Sequence, residues 1–188
     1  MNRIRYIFFS VLLFLIGAGV LSCKKEVADP DSSNPNVLPP LTHEGKNTFG
    51  CKVNGEVWVA QMPFSVGGAS EIETEYYPDL AGVQIVARKK DEDKNIFERL
   101  TIVISGFNGE NSYLVETMNN ELGGFSDFND NYDCWKYFYH DSLIRNVKVS
   151  YFSSSSRIIS GTFEMDLVNP SCPGDTIKIR EGRFDCSY

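Results

Sequence analysis

Residues 160–188 read SGTFEMDLVNPSCPGDTIKIREGRFDCSY, and this stretch decides the fold class of the chain. In its first part, Phe163, Met165 and Leu167 alternate with polar residues. A period of two predicts a strand with one buried face and one solvated face. Residues 169–175 supply the proline, glycine and aspartate of a loop, so the stretch predicts a long antiparallel hairpin.

The second strand of this hairpin changes phase halfway along. Ile177 and Ile179 share one phase, whereas the apolar residues nearer the C-terminus take the other, namely Phe184, Cys186 and Tyr188. A slip of one residue would turn the core face toward water unless one extra residue is inserted. We therefore predict a β-bulge at Glu181-Gly182, since glycine tolerates the positive φ that bulges often need.

A second hairpin is predicted in TFGCKVNGEVWVA, residues 48–60. Asn54-Gly55 between two apolar runs is the strongest short-range hairpin signal. A two-residue turn at this point places Cys51 opposite Trp58. Both side chains then share one face of the sheet with Phe49.

The rest of the chain shows the same alternation and no long helical period. We predict nine strands, at residues 48–54, 56–60, 82–88, 97–105, 112–118, 133–139, 146–152, 158–168 and 176–188. The charged run RKKDEDKN at 88–95 is typical of a solvated hairpin tip. Short strands separated by turn signals predict an all-β domain, either an antiparallel β-sandwich or a partly open barrel of about 8–9 strands.

The first 22 residues have the layout of a secretory signal peptide. Arg3 and Arg5 precede a largely apolar run over residues 6–20, which is shorter than the roughly 20 residues that a transmembrane helix needs. The run ends in Val20-Leu21-Ser22-Cys23, which resembles the lipobox of bacterial lipoproteins. This resemblance implies that Cys23 carries acyl chains after cleavage and anchors the protein to a membrane.

Residues 23–47 are predicted to form a flexible tether, because they contain prolines at 30, 35, 39 and 40 and no periodic apolar pattern. A single β domain then spans residues 48–188. Removal of residues 1–22 takes away two arginines and changes the formal net charge from −7 to −9. So acidic a protein is a poor candidate for binding nucleic acid. We expect it to contact the membrane only through its anchor.

Three further motifs resemble a family of Bacteroidota-type lipoproteins that carry a β-rich domain of unknown function. They are GKNTFGCKVNGEVWVA at 45–60, IISGTFEMDLVNP at 158–170 and DTIKIREGRFDCSY at 175–188. The resemblance implies an outer-membrane lipoprotein whose domain faces either the cell surface or the periplasm. It implies no catalytic residues.

Four cysteines besides Cys23 are present, and an exported protein can pair them. Their spacing leaves all three connectivities of Cys51, Cys134, Cys172 and Cys186 open. The resembled family implies a Cys51–Cys172 bond, which leaves Cys134 to pair with Cys186. A zinc site is disfavoured because the sequence contains no CxxC pair.

The richest candidate stretch is DFNDNYDCWKYFYHD at 127–141. Its side-chain oxygens are of the kind that calcium takes. A turn in which the Asn and Asp side chains bond their own backbone explains the same residues and is favoured. The EF-hand pattern is not met, so we expect no metal and no cofactor. The weak calcium candidates are Asp127, Asn129, Asn131 and Asp133.

The same stretch contains three aromatic residues of one strand parity, Trp135, Tyr137 and Tyr139. If this face is exposed, it forms a platform on which a flat ligand such as a sugar ring can stack. If it is buried, the three rings belong to the core.

These patterns favour a non-catalytic binding or interaction module with a glycan or an envelope protein as its partner. One alternative is a periplasm-facing structural or assembly factor that contacts other proteins through a sheet edge. A second alternative is a hydrolase that acts on glycans through a pair of carboxyl groups. A nucleophilic triad is disfavoured because His140 and Asp141 are adjacent strand residues and point to opposite faces.

Overall fold

The computed structural model describes residues 34, 36–62, 70–93, 95–115, 124–128, 134, 136–139 and 144–188, with only the backbone of Tyr139. The predicted signal peptide, Cys23 and the first part of the predicted tether lie outside this range. Within it, the chain contains no helix of the length and apolarity that crossing a bilayer requires.

The described residues form eleven β-strands and one short 3-10 helix at Pro78–Leu80. The strands are β1 Thr48–Val53, β2 Glu56–Val59, β3 Ile72–Tyr77, β4 Gly82–Asp91, β5 Ile96–Ser105, β6 Asn111–Leu114, β7 Gly124–Asp127, β8 Lys136–Tyr139, β9 Arg145–Ser153, β10 Ile158–Val168 and β11 Thr176–Ser187.

Each of the nine predicted strands has a counterpart, and two strands were missed. The sequence of β3, IETEYY, is rich in glutamate, which is depleted in strands. The sequence of β7, GFSD, is short and has the composition of a turn. Both strands are recognisable only from the neighbours with which they pair.

The strands form one antiparallel sheet that curls into a half-barrel. Nine of them follow the order β2-β1-β11-β10-β8-β7-β5-β4-β3, while β9 pairs with β10 and β6 pairs with β9. Strand β10 connects two groups of strands, because its first part pairs with β9 and its end pairs with β8. After β2 the chain returns to β4: the Gln61 amide donates to the Arg88 carbonyl at 2.9 Å, and the Lys90 amide donates to the Gln61 carbonyl at 2.8 Å. The fold is therefore the partly open barrel of the two predicted architectures.

The interior of the half-barrel is filled with side chains from both halves. Phe49 packs against Trp58 and Phe163, with ring centres 6.1 and 4.9 Å away. The predicted register of the first hairpin is confirmed, since Cys51 lies opposite Trp58. Other fully buried side chains include Ile85, Leu100, Ile102, Ile104, Ile159, Met165, Leu167, Ile179 and Phe184.

The predicted bulge is present in β11, but the two residues have other roles than expected. Phe163 pairs with Gly182 and Met165 with Ile179, so β11 contains one extra residue. The positive φ of 53° belongs to Glu181. Gly182 is required for another reason: a Cβ atom there would lie 2.5 Å from the ring of Phe163.

Residues 36–47, which we call the N-terminal arm, lie against the sheet. The buried carboxylate of Asp185 on β11 accepts hydrogen bonds from the arm, and Arg183 donates one to the Pro39 carbonyl at 3.2 Å. The arm donors to Asp185 are the hydroxyl of Thr42 at 2.5 Å and the amides of Glu44, Gly45 and Lys46 at 3.1, 2.8 and 3.3 Å. These hydrogen bonds hold the arm against β11, within the segment that the sequence assigns to the tether.

The disulfide pairing implied by the family resemblance is wrong. Cys134 is bonded to Cys172, whereas Cys51 and Cys186 are free and buried. The two loops meet because β8, which follows Cys134, pairs with the end of β10, which precedes Cys172. Burial raises the pKa of the Cys51 thiol, and it raises that of Cys186 to about 12, so both thiols are protonated and unreactive.

Candidate functional site

The predicted calcium ligands are only partly within the described residues. Asp127 is the last residue of β7, and Asn129, Asn131 and Asp133 lie outside the described range. Among the side chains that the structure describes, no group of three or more His, Cys, Asp or Glu is placed to hold a metal ion.

For the one side chain that the structure describes, Tyr137, the core interpretation is confirmed and the ligand-binding assignment is wrong. Tyr137 is 6% exposed, packs against Phe125 and donates a 2.6 Å hydrogen bond to Asp175. This ring is therefore part of the core and helps to hold the disulfide-linked loops together. Trp135 and the side chain of Tyr139 lie outside the described part of the chain.

A different surface combines an aromatic stack with convergent polar groups, and it lies on the outside of β3, β4 and β5. Alternate residues of β4, such as Val83 and Ile85, point into the core, so Gln84, Val86 and Arg88 face outward. The outward residues form a depression of about 270 Å³. We call this surface the β3–β5 face, and its lining is Glu73, Glu75, Gln84, Val86, Arg88, Arg99 and Thr101.

Two arginines lie side by side on this face. Arg88 of β4 and Arg99 of β5 are direct cross-strand partners. Arg88 is held by the Glu73 carboxylate at 2.8 Å and by the Ser70 carbonyl at 2.9 Å. The hydrogen bond from Arg88 and the charge of its guanidinium hold the pKa of Glu73 below its ordinary value.

Arg99 has no such carboxylate. Among the described residues it forms no ion pair and no hydrogen bond through its guanidinium, which lies 5.5 Å from the centre of the Phe128 ring. Burial and the neighbouring charge of Arg88 lower the pKa of Arg99. Arg99 nevertheless remains charged at neutral pH, because an arginine begins from a pKa above 12.

Phe128 adds an aromatic surface to this arrangement. Its ring stacks on Phe97 with a centre-to-centre distance of 4.8 Å and is 38% exposed. The backbone fixes the pair, because the Phe128 amide donates to the Phe97 carbonyl at 2.9 Å. Phe128 lies in the candidate stretch 127–141, but sequence reasoning missed it, because Phe97 and Arg99 meet it only after β5 and β7 pair.

A second group of charged residues lies at the inner side of the same strands. Glu98 pairs in register with Lys89 on one side and Asp127 on the other, and it accepts a 2.6 Å hydrogen bond from the Trp58 indole. Burial raises the pKa of Glu98, partly offset by the hydrogen bond from Trp58 and the charge of Lys89, and the charge of Asp127 raises it further. A protonatable carboxyl group thus lies beside a second carboxylate.

Another depression, of about 360 Å³, lies on the outside of β9, β10 and β11. Its aromatic residue, Phe163, is 2% exposed, so it offers a ligand no ring face. The lining residues are Leu41, Asn146, Lys148, Thr162, Phe163, Glu164, Glu181, Gly182 and Arg183. The β3–β5 face is the better candidate because one of its lining residues, Arg99, adjoins the exposed Phe128 ring and has a guanidinium with no polar partner among the described residues.

No protein-family model, no curated protein and no solved structure matches this chain. The chemistry of the candidate site is therefore inferred from its own residues.

Proposed function

We propose that this chain is a lipid-anchored lipoprotein of the bacterial outer membrane and that its half-barrel is a non-catalytic module that binds glycans. The anchor rests on Arg3, Arg5, the apolar run and Cys23. The folded domain begins at the N-terminal arm, so only residues 24–35 separate it from the proposed anchor. A random coil of that length, which the sequence predicts for this tether, has a root-mean-square reach of about 20 Å.

The observation that carries the binding proposal is the contact of Arg99 with Phe128 at the edge of a polar depression. Sugar rings stack their apolar C–H faces on aromatic rings, while their hydroxyl groups need planar donors and acceptors. The stacked Phe97–Phe128 pair supplies the aromatic surface. Gln84 and Arg99 supply the hydrogen-bonding groups.

The carboxylates of this face suit binding better than acid catalysis. Glu73 is ionised at neutral pH, since the hydrogen bond from Arg88 lowers its pKa. A general acid needs the opposite shift. Glu75 accepts a hydrogen bond from the Tyr77 hydroxyl, and this contact fixes the orientation of the Glu75 carboxylate.

The binding proposal is tested by screening the mature chain in detergent micelles against an array of neutral and acidic glycans. We expect binding that Phe128→Ala reduces at least about fivefold, because stacking on an aromatic side chain is worth about 1–3 kcal/mol. Leu114→Ala is the matched control, since Leu114 is 56% exposed on β6, away from this face. Equal binding by wild type and Phe128→Ala would refute the proposed face.

The anchor is tested separately by metabolic labelling with an alkyne fatty acid. We expect label in the wild type and none in Cys23→Ala. Protease treatment of intact and lysed cells then locates the domain: cleavage on intact cells places it outside, where glycan capture is useful. Protection until lysis, together with a stoichiometric protein partner on purification, would favour the assembly factor.

One observation favours a hydrolase as the second candidate function. Burial raises the pKa of Glu98, the shift that a general acid needs, and a second carboxyl group, Asp127, is its cross-strand neighbour; glycosidases use such a pair of carboxyl groups. This candidate predicts turnover of a glycan that Glu98→Gln and Asp127→Asn abolish. Binding without turnover in the wild type would exclude it for that glycan.

A further inference from the structure

The paired arginines of the β3–β5 face are costly without an anion. Like charges directly opposite each other on neighbouring strands destabilise a sheet. Glu73 compensates one charge, because it lies 2.8 Å from Arg88. The second charge, on Arg99, has no carboxylate among the described residues.

On the β3–β5 face, the N–H donors that have no acceptor among the described residues belong mainly to Arg99. One terminal nitrogen of Arg88 donates to Glu73 and the other to the Ser70 carbonyl. Lys90, farther along β4, is held by Glu92 at 2.8 Å. A guanidinium carries five N–H donors in a rigid planar fork, and none of those on Arg99 reaches an acceptor in the described part of the chain.

We infer that Arg99 binds the carboxylate of an acidic sugar, so that the ligands of this face are uronate-containing oligosaccharides. This inference rests on the proposed glycan-binding function and names its ligand class. A planar carboxylate matches the guanidinium fork with two parallel hydrogen bonds. The sugar ring that carries it can stack on Phe128, since that ring adjoins Arg99.

The other side of the depression fits the uncharged part of such a ligand. Glu75 and Gln84 are cross-strand partners and line the same depression as Arg99. A carboxylate accepts hydrogen bonds from sugar hydroxyls, and an amide both accepts and donates them. The face thus has a cationic region that takes the acid group and a polar region that takes hydroxyl groups.

Because the whole protein is acidic, its preference for an acidic ligand must come from residues in direct contact with that ligand. The formal net charge of the proposed mature chain is −9, because −7 − 2 = −9 once Arg3 and Arg5 are removed, so the protein repels polyanions at long range. Attraction to a uronate must come from Arg99 and Arg88 at short range. We therefore expect modest affinity that weakens as the salt concentration rises.

The experiment compares oligogalacturonate with its fully methyl-esterified form, which has the same rings without the charges, by calorimetry on the mature chain in detergent micelles. We expect the acid form to bind at least tenfold more tightly than the ester. Arg99→Gln should weaken binding of the acid form about tenfold or more, because it removes a charge-assisted hydrogen-bond pair. Arg99→Lys keeps the charge without the fork, and its affinity should lie between the two.

Arg157→Gln is the matched control, since Arg157 is exposed in the turn between β9 and β10 and lies over Tyr188. This variant should bind like the wild type, and thermal unfolding should show that every variant is folded. Equal binding of acid and ester, or an unchanged affinity in Arg99→Gln, would overturn the inference. Neutral glycans that bind in a Phe128-dependent way, with no binding of oligogalacturonate, would overturn it while leaving the proposed function intact.

Discussion

Thr42 donates a 2.5 Å hydrogen bond to the buried carboxylate of Asp185 and so joins the N-terminal arm to the last strand. Ser160 of β10 donates a second side-chain hydrogen bond at 2.7 Å to the other carboxylate oxygen. Three backbone amides of the arm complete the set of donors. One side chain therefore holds residues 42–46 of the arm against the sheet.

Asp185→Asn should destabilise the domain by about 2–4 kcal/mol, because an amide group places N–H donors opposite groups that are themselves donors. Chemical denaturation measures the free energy of unfolding, and limited proteolysis should show faster cleavage within residues 36–47. Asp79→Asn is the control, since Asp79 is exposed in the 3-10 helix. Unchanged stability and unchanged cleavage would show that Asp185 does not hold the arm.

The contribution of Asp185 should depend on pH. Burial alone would raise its pKa, but the hydrogen bonds from Thr42, Ser160 and the backbone amides outweigh burial and lower it. Because the folded pKa lies below the unfolded value of about 3.9, the stabilisation is complete above that value and is lost as the pH falls through the folded pKa. The stability difference between wild type and Asp185→Asn should shrink on acidification. A difference that does not change with pH would contradict this account.

The cysteine pairing predicts which thiols can be alkylated. In the folded, unreduced protein neither Cys51 nor Cys186 should react, because both are buried with raised pKa values. Unfolding without reductant should expose these two thiols, and peptide mass spectrometry should find Cys134 linked to Cys172. A peptide that links Cys51 to Cys172 would instead restore the pairing implied by the family resemblance.

The bulge in β11 provides a matched pair of substitutions. Gly182→Ala should destabilise the domain by about 1–3 kcal/mol, because the new methyl group would overlap the Phe163 ring. Glu181→Gly should change stability by less than about 1 kcal/mol, since it relieves a positive φ but loses an exposed ion pair with Lys52. A larger loss of stability in Glu181→Gly than in Gly182→Ala would show that the extra residue of β11 is accommodated at another position.

Features that depend on neighbouring residues were predictable from the sequence. The hairpin register of Cys51 and Trp58 follows from Asn54-Gly55, whose φ values of 50° and 93° are those of a tight primed turn. The place of the bulge followed from the change of hydrophobic phase in β11. Both inferences use residues within a few positions of each other.

Features that depend on distant pairings were not predictable. Arg88 begins the charged run that was interpreted as a hairpin tip, but β4 continues to Asp91 because it pairs with β5 as far as Ile96. Only that pairing places Arg88 beside Arg99 and brings Phe128 to Phe97. The spacing of the cysteines left the Cys134–Cys172 pairing open for the same reason, since this bond depends on β8 meeting the end of β10.

The most direct test of the binding face is amide chemical-shift mapping of the mature chain in detergent micelles with the glycan that binds most tightly in the array. We expect the perturbed amides to cluster in β3, β4 and β5, around residues 73–75, 84–88 and 97–101, and at Phe128. Perturbations confined to the outside of β9 and β10, around residues 146–148 and 162–164, would contradict the proposal that this protein binds its ligand on the β3–β5 face.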